Sequence, residues 1–122
     1  MTTRLLLADS NDRSREMLVK LLAIYQVSAI TQVKDGLVAL STLAREDFDL
    51  AIIDADLQGV TGLFVSEVLR FVPRFRDVKV VLLSGSVTQA LLKQGMQMGV
   101  HAFLERPVNA ENVKSIVQLL KS

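Results

Sequence analysis

The chain contains no cysteine, which removes disulfides, thiol catalysis and thiolate metal sites together. An excess of one charge is also missing: 14 Lys and Arg stand against 13 Asp and Glu, a formal net charge of +1. A nearly neutral chain has no broad positive field to hold phosphate backbones, so direct nucleic-acid binding is not expected. No apolar run is long enough to span a membrane, and Met1 to Leu7 lack the long apolar region of a secretory signal. These absences predict a soluble cytoplasmic protein with no membrane partner. The sequence has no P-loop, no G-x-G-x-x-G and no H-E-x-x-H. Asp9-Ser10-Asn11-Asp12 would repel a flavin phosphate rather than cradle one. Repeats, linkers and low-complexity stretches are absent as well, so residues 1–122 read as one domain.

What is present is globular. Of 122 residues, 50% are hydrophobic and 22% charged, enough to bury a core without cross-links. Five short apolar runs stand out: Leu5 to Ala8, Val27 to Ile30, Leu50 to Ile53, Val78 to Leu83 and Ala102 to Leu104. Runs this short, mostly aliphatic and without alternation, suit strands buried on both faces. Helical periods lie between them. Leu18, Leu21, Leu22 and Tyr25 fit a first helix after Met17, with Asp12 its expected cap. Leu37, Leu40 and Ala44 fit a second, opened by Asp35-Gly36. Val65, Val68, Leu69 and Val72 fit a third that Pro73 helps to stop. Leu91, Gly95 and Met98 fit a fourth. Val113, Ile116, Val117 and Leu120 fit a fifth, with Asn109 as N-cap. Strand followed by helix, five times over, predicts an α/β fold with a parallel sheet covered on both faces.

In open parallel sheets, sites form beyond the carboxyl ends of the strands, where the strand order reverses. Asp9 follows the first run, Asp54 the third, Ser84-Gly85 ends the fourth, and Arg106-Pro107 follows the fifth. Taken singly, an Asp after a strand is commonly a cap or turn former and a Ser is ordinary. Jointly, four strand ends bring two carboxylates, a hydroxyl and a guanidinium to one edge. If the first and third strands are neighbours, Asp9 and Asp54 lie roughly 5 Å apart. Carboxylates that close need a cation or a shared proton, and Mg²⁺, which takes few carboxylates and keeps its waters, is the natural candidate.

Along nearly its whole length the chain resembles the receiver domain of two-component response regulators. The resemblance rests on Leu5 to Asn11, Asp35 to Leu40, Leu50 to Asp54 with Gly62 after it, Leu82 to Gly85, and Met98 to Val108. It implies a flavodoxin-like (βα)5 fold with strand order 2-1-3-4-5, and phosphoryl transfer from a histidine kinase or phosphotransfer protein with Mg²⁺ alongside. On the matching positions, Asp54 is the phosphoacceptor and Asp9 the first of the paired acidic residues that hold the metal. Ser84 is the hydroxyl that bonds the phosphoryl group, and Phe103 is the aromatic residue whose rotamer follows it. Asp56 offers the metal a backbone carbonyl or aims its side chain at the site's mouth, and Gly85 leaves room for the phosphoryl group.

Two positions depart from that pattern. Ser10 stands where the family has a second acidic metal ligand, and a neutral oxygen there makes Mg²⁺ binding weak. A carboxylate ~4 Å from a cation is worth ~4 kcal/mol per unit charge at an effective dielectric of 20, before desolvation. Arg106 stands where the family has lysine. Arginine is a planar fork that can hold a carboxylate by two parallel bonds, so Arg106 either clamps Asp54 and shields it or does the lysine's work. Gln58 replaces a proline common after the acceptor loop.

Two functions remain open: a phosphoacceptor receiver, which is a signalling module and not an enzyme, and a pseudo-receiver that keeps the fold as an interaction surface. A third reading, a phosphatase of the haloacid dehalogenase type, rests on Asp54-Ala55-Asp56 as a D-x-D pair. That pair normally follows the first strand of a larger sheet, which counts against it here. His101 reads as structural, and Arg70, Arg74, Arg76 and Lys79 as a solvated edge. With no output domain in the sequence, the expected output is by protein contacts through the fourth helix, fifth strand and fifth helix, Val87 to Leu120. A second copy of the chain is another candidate partner.

Overall fold

The computed structural model describes residues 2–121; Met1 and Ser122, the two ends of the expected domain, lie outside the described residues. Five strands, β1 (Arg4–Ala8), β2 (Ala29–Val33), β3 (Leu50–Asp54), β4 (Lys79–Ser84) and β5 (Ala102–Glu105), alternate with five helices. The helices are α1 (Asp12–Ile24), α2 (Gly36–Arg45), α3 (Gly62–Phe71), α4 (Gln89–Gln97) and α5 (Ala110–Gln118). All strand pairs are parallel, in the order β2-β1-β3-β4-β5, which is the flavodoxin-like arrangement implied by the resemblance.

Strand residues alternate between faces, and two apolar layers follow. Leu5, Leu7, Leu50, Ile52, Val81, Leu83 and Leu104 pack with Leu18 and Leu22 of α1 and with Val113, Ile116 and Val117 of α5. Leu6, Ala8, Ala51, Ile53, Val80 and Leu82 pack with Ala39 and Leu43 of α2 and with Val65 and Leu69 of α3. Partly buried Leu91 of α4 and Phe103 join this second layer.

Four local expectations are corrected. The second strand begins at Ala29, two residues late, because it is an edge strand: Val27 is buried ahead of it while Gln32 stays exposed. The buried face of α2 is Ala39, Thr42 and Leu43, with Leu37 and Ala44 exposed. Thr42 buries without an orphan hydroxyl because Oγ1 donates to Val38 O at 2.7 Å. Helix α1 is capped by Asn11, whose side chain accepts from Ser14 N at 2.9 Å; Asp12 instead pairs with Arg15 and Lys34. Val72 lies beyond α3, and Pro73 opens a short 3-10 turn. Asp35 and Asn109 cap α2 and α5 as expected.

Candidate functional site

The alternation that builds the two layers also divides the strand-end residues. Asp54 continues the parity of Leu50 and Ile52 and faces the α1–α5 side. Ser84 continues that of Val80 and Leu82 and faces the α3–α4 side, as does Phe103. Asp9 and Arg106, each just past a strand end, reach the same side as Asp54.

There they meet. Arg106 Nη2 donates to Asp9 Oδ1 at 3.0 Å and to Asp54 Oδ2 at 2.8 Å. Arg106 Nε donates to Ser14 Oγ at 3.0 Å. The Asp9 side chain is fully buried and that of Asp54 nearly so, while Arg106 keeps 26% of its side chain exposed. Arginine thus does not fork onto Asp54; one nitrogen serves both carboxylates and supplies the positive charge that their proximity demands. The peptide between Arg106 and Pro107 is cis. Asp54 Oδ1 accepts from Asp56 N at 2.9 Å, and Asp9 Oδ1 also accepts from Asn11 N at 3.0 Å. Burial pushes the Asp54 carboxyl above its ordinary range, against the Asp56 amide and Arg106, which pull it down. For Arg106 burial opposes the charge, but Asp54 and Asp9 outweigh it and the guanidinium is held more firmly protonated.

Ser84 is not drawn in. Its Oγ donates to Ser86 O at 3.0 Å and accepts from Ser86 N at 3.2 Å. With Gly85, Thr88 and the exposed Asp56 it lines a cleft of about 520 Å³ at the mouth of the site. A Cβ built on Gly85 meets nothing within 4 Å, so the space beside it is open. The Phe103 ring lies inward against Gly95 of α4. Gly62 opens α3 where a Cβ would run into the backbone carbonyl of Asp54, so glycine is what lets α3 start directly over the loop that follows β3. Ser10 Oγ donates to Lys34 O at 2.9 Å and accepts from Gln58 N at 3.3 Å, tying two loops together.

A model of the response regulator receiver domain matches residues 5–118. The chain belongs to that family. Over 111 residues it is 33% identical to the sensory/regulatory protein RpfC of Xanthomonas campestris pv. campestris, covering 88% of this chain and 15% of that protein. The receiver therefore spans a small part of that relative's length. Among solved structures, a putative response regulator from Chloroflexus aurantiacus J-10-fl matches over 100% of both chains with a TM-score of 0.92 at 21% identity. The receiver domain of sensor histidine kinase PA1611 from Pseudomonas aeruginosa PAO1, with magnesium in its active site cleft, gives 0.88 at 21% identity, again over 100% of both. At such identities the likeness speaks for the fold.

Two observations bear on whether this receiver's residues fit a divalent cation. Asp9 Oδ2 is buried with no hydrogen-bond partner among the described residues, an orphan that a cation would satisfy. Against it, no group of three or more His, Asp or Glu side chains placed to hold a metal occurs among the described residues. Mg²⁺ makes do with one or two carboxylates and several waters, so Asp9 and Asp54 fit it, without help from Ser10 and in competition with Arg106.

Two site residues escape a strand-end reading. One is Ser14, which holds Arg106. The other is Arg15, a buried arginine that donates to the backbone carbonyl of Asp9 at 2.8 Å, to Gln32 Oε1 at 3.3 Å and to Asp12. Its signal was its phase: Arg15, Leu18 and Leu22 share one helical stripe, and a charge on a buried stripe needs partners. His101 is structural as expected, its Nδ1 accepting from Val80 N at 3.0 Å.

Proposed function

We propose that this receiver accepts a phosphoryl group on Asp54 from a histidine kinase or phosphotransfer protein and signals by protein contacts, without turning over a substrate as an enzyme. The observation that carries the reading is Arg106 Nη2 within 3.0 Å of both carboxylates at the topological switch point. It favours the charged form of Asp54 against burial and orients the carboxylate beside a cleft open to a donor. An Asp54 oxygen attacks phosphorus, an O–P bond forms, and the P–N bond to the donor imidazole breaks, the imidazole nitrogen taking up a proton. Arg106 stays within reach of the charge that arrives. Mg²⁺, held by Asp9 and Asp54, would add neutralisation of the phosphoryl oxygens.

Ser84 must exchange its loop partner Ser86 for a phosphoryl oxygen, and Phe103 shares its side of the sheet. That supports an output through the α4, β5 and α5 face, where Met96 is 70% exposed. A mostly apolar groove of about 410 Å³, lined by Arg13, Ser14, Met17, Arg106, Pro107 and Val108, opens beside the site and suits a docking donor. Among the described residues no helix is long and apolar enough to cross a membrane, in keeping with a cytoplasmic module. The assignment is tested by trapping the acyl phosphate with borohydride and mapping peptides. The label should fall on Asp54; a label on Asp9 or Asp56 would overturn the choice of acceptor.

A further inference from the structure

Arginine at position 106 brings a donor that lysine lacks, and the structure gives that donor a partner. The edge of the guanidinium formed by Nε and Nη2 is engaged, Nε by Ser14 Oγ at 3.0 Å and Nη2 by the two carboxylates. Nη1 has no hydrogen-bond partner among the described residues. Ser14 is itself fixed, because its N–H donates to the capping side chain of Asn11 at 2.9 Å. A continuous path therefore runs from the Asn11 cap through Ser14 and Arg106 to Asp9 and Asp54. With Nε tethered, the plane of the guanidinium is restrained about its last torsions. One nitrogen is kept between the carboxylates, and another is left for the incoming group.

We propose that Ser14 is a positioning residue for phosphoryl transfer, holding Arg106 by Nε so that its remaining nitrogens serve Asp9, Asp54 and the transferred phosphoryl group. This rests on Asp54 being the acceptor. It is also particular to this chain, since lysine carries its three donors on a single nitrogen and has no separate Nε–H that Ser14 could hold apart from the nitrogen placed between the carboxylates.

The test is a double-mutant cycle on the rate of phosphoryl uptake from acetyl phosphate. Ser14→Ala removes one neutral–charged hydrogen bond and should slow uptake about three- to tenfold. Ser14→Thr keeps the hydroxyl and should restore the rate. In the Arg106→Lys background, Ser14→Ala should change nothing. An equal slowing in both backgrounds would mean that Ser14 acts through helix α1 alone, and the proposal would be wrong. A second readout does not need activity: hydrogen exchange at the Arg106 Nε–H, followed by ¹⁵N NMR, should be faster in Ser14→Ala than in the wild type. If the wild type takes up no phosphoryl group, the phosphoacceptor reading fails, and the exchange rate alone decides the tether. Unchanged exchange overturns it.

Discussion

The ring of Phe103 occupies the space that a side chain at position 95 would need: a Cβ on Gly95 would lie 2.6 Å from Phe103 Cζ and 2.7 Å from Cε1. Glycine inside a helix ordinarily costs about 1 kcal/mol against alanine, so α4 carries an internal weakness that seats the ring. Phe103 is only half-buried and has room to turn. Gly95→Ala should therefore leave the domain folded and drive the ring outward, seen as a large shift of the Phe103 aromatic resonances. Resonances that stay in place in a folded variant would show that helix α4 gives way instead.

Ser10→Asp should tighten Mg²⁺ binding by at least about tenfold, equivalent to about 1.4 kcal/mol. The bare Coulomb gain is larger, but the new carboxylate must be desolvated beside Asp9. It also gives up the bond that the Ser10 hydroxyl donates to Lys34 O, since a carboxylate only accepts. Calorimetric titration of the two proteins measures the difference. Equal affinities would mean that position 10 does not face the cation.

Arg15→Met should lower the unfolding free energy by about 1–3 kcal/mol, because the buried carbonyl of Asp9 loses its donor. Urea denaturation reads this directly. A change below about 0.5 kcal/mol, the range of ordinary surface substitutions, would contradict a supporting role for Arg15.

His101 gives a pH dependence whose sign follows from its hydrogen bond. Burial, and then the charge of Lys79, push its imidazole below the ordinary value of 6.5. Nδ1 must be unprotonated to accept from Val80 N. The unfolded chain thus binds the proton more readily than the folded one. Stability from the neutral ring is complete above the unfolded value and is lost as pH falls through the lower, folded one. Melting temperature should decline as pH falls from about 7.5 to about 5.5, a window where histidine titrates and ordinary carboxylates do not. His101→Gln, which can present an amide oxygen to Val80, should flatten that slope; parallel slopes would refute the assignment.

The parts of the fold that were legible are those where one physical term dominates. Strands β1, β3 and β4 are wrapped by helices on both faces and had to be aliphatic runs. Edge strand β2 carries Thr31 and Gln32, so its apolar run, Val27 to Ile30, starts two residues ahead of the strand and ends inside it. Helix α2 packs Leu40 as its period predicts, but Leu37 and Val38 are exposed while Thr42 is buried, and only the Val38 carbonyl makes that burial tolerable. In the site, Asp9, Asp54 and Arg106 follow from the strand-end rule. How they share charge does not, because it depends on the reach of one side chain across the edge. Ser14 and Arg15 needed the phase of α1 relative to the sheet, which strand ends do not carry.

Asp54 as the phosphoacceptor is the central claim, and intact mass after incubation with acetyl phosphate and Mg²⁺ tests it most directly. The wild type should gain the mass of one phosphoryl group, and folded Asp54→Asn should gain none. An unchanged mass in the folded wild type, or the same gain in Asp54→Asn, would contradict it.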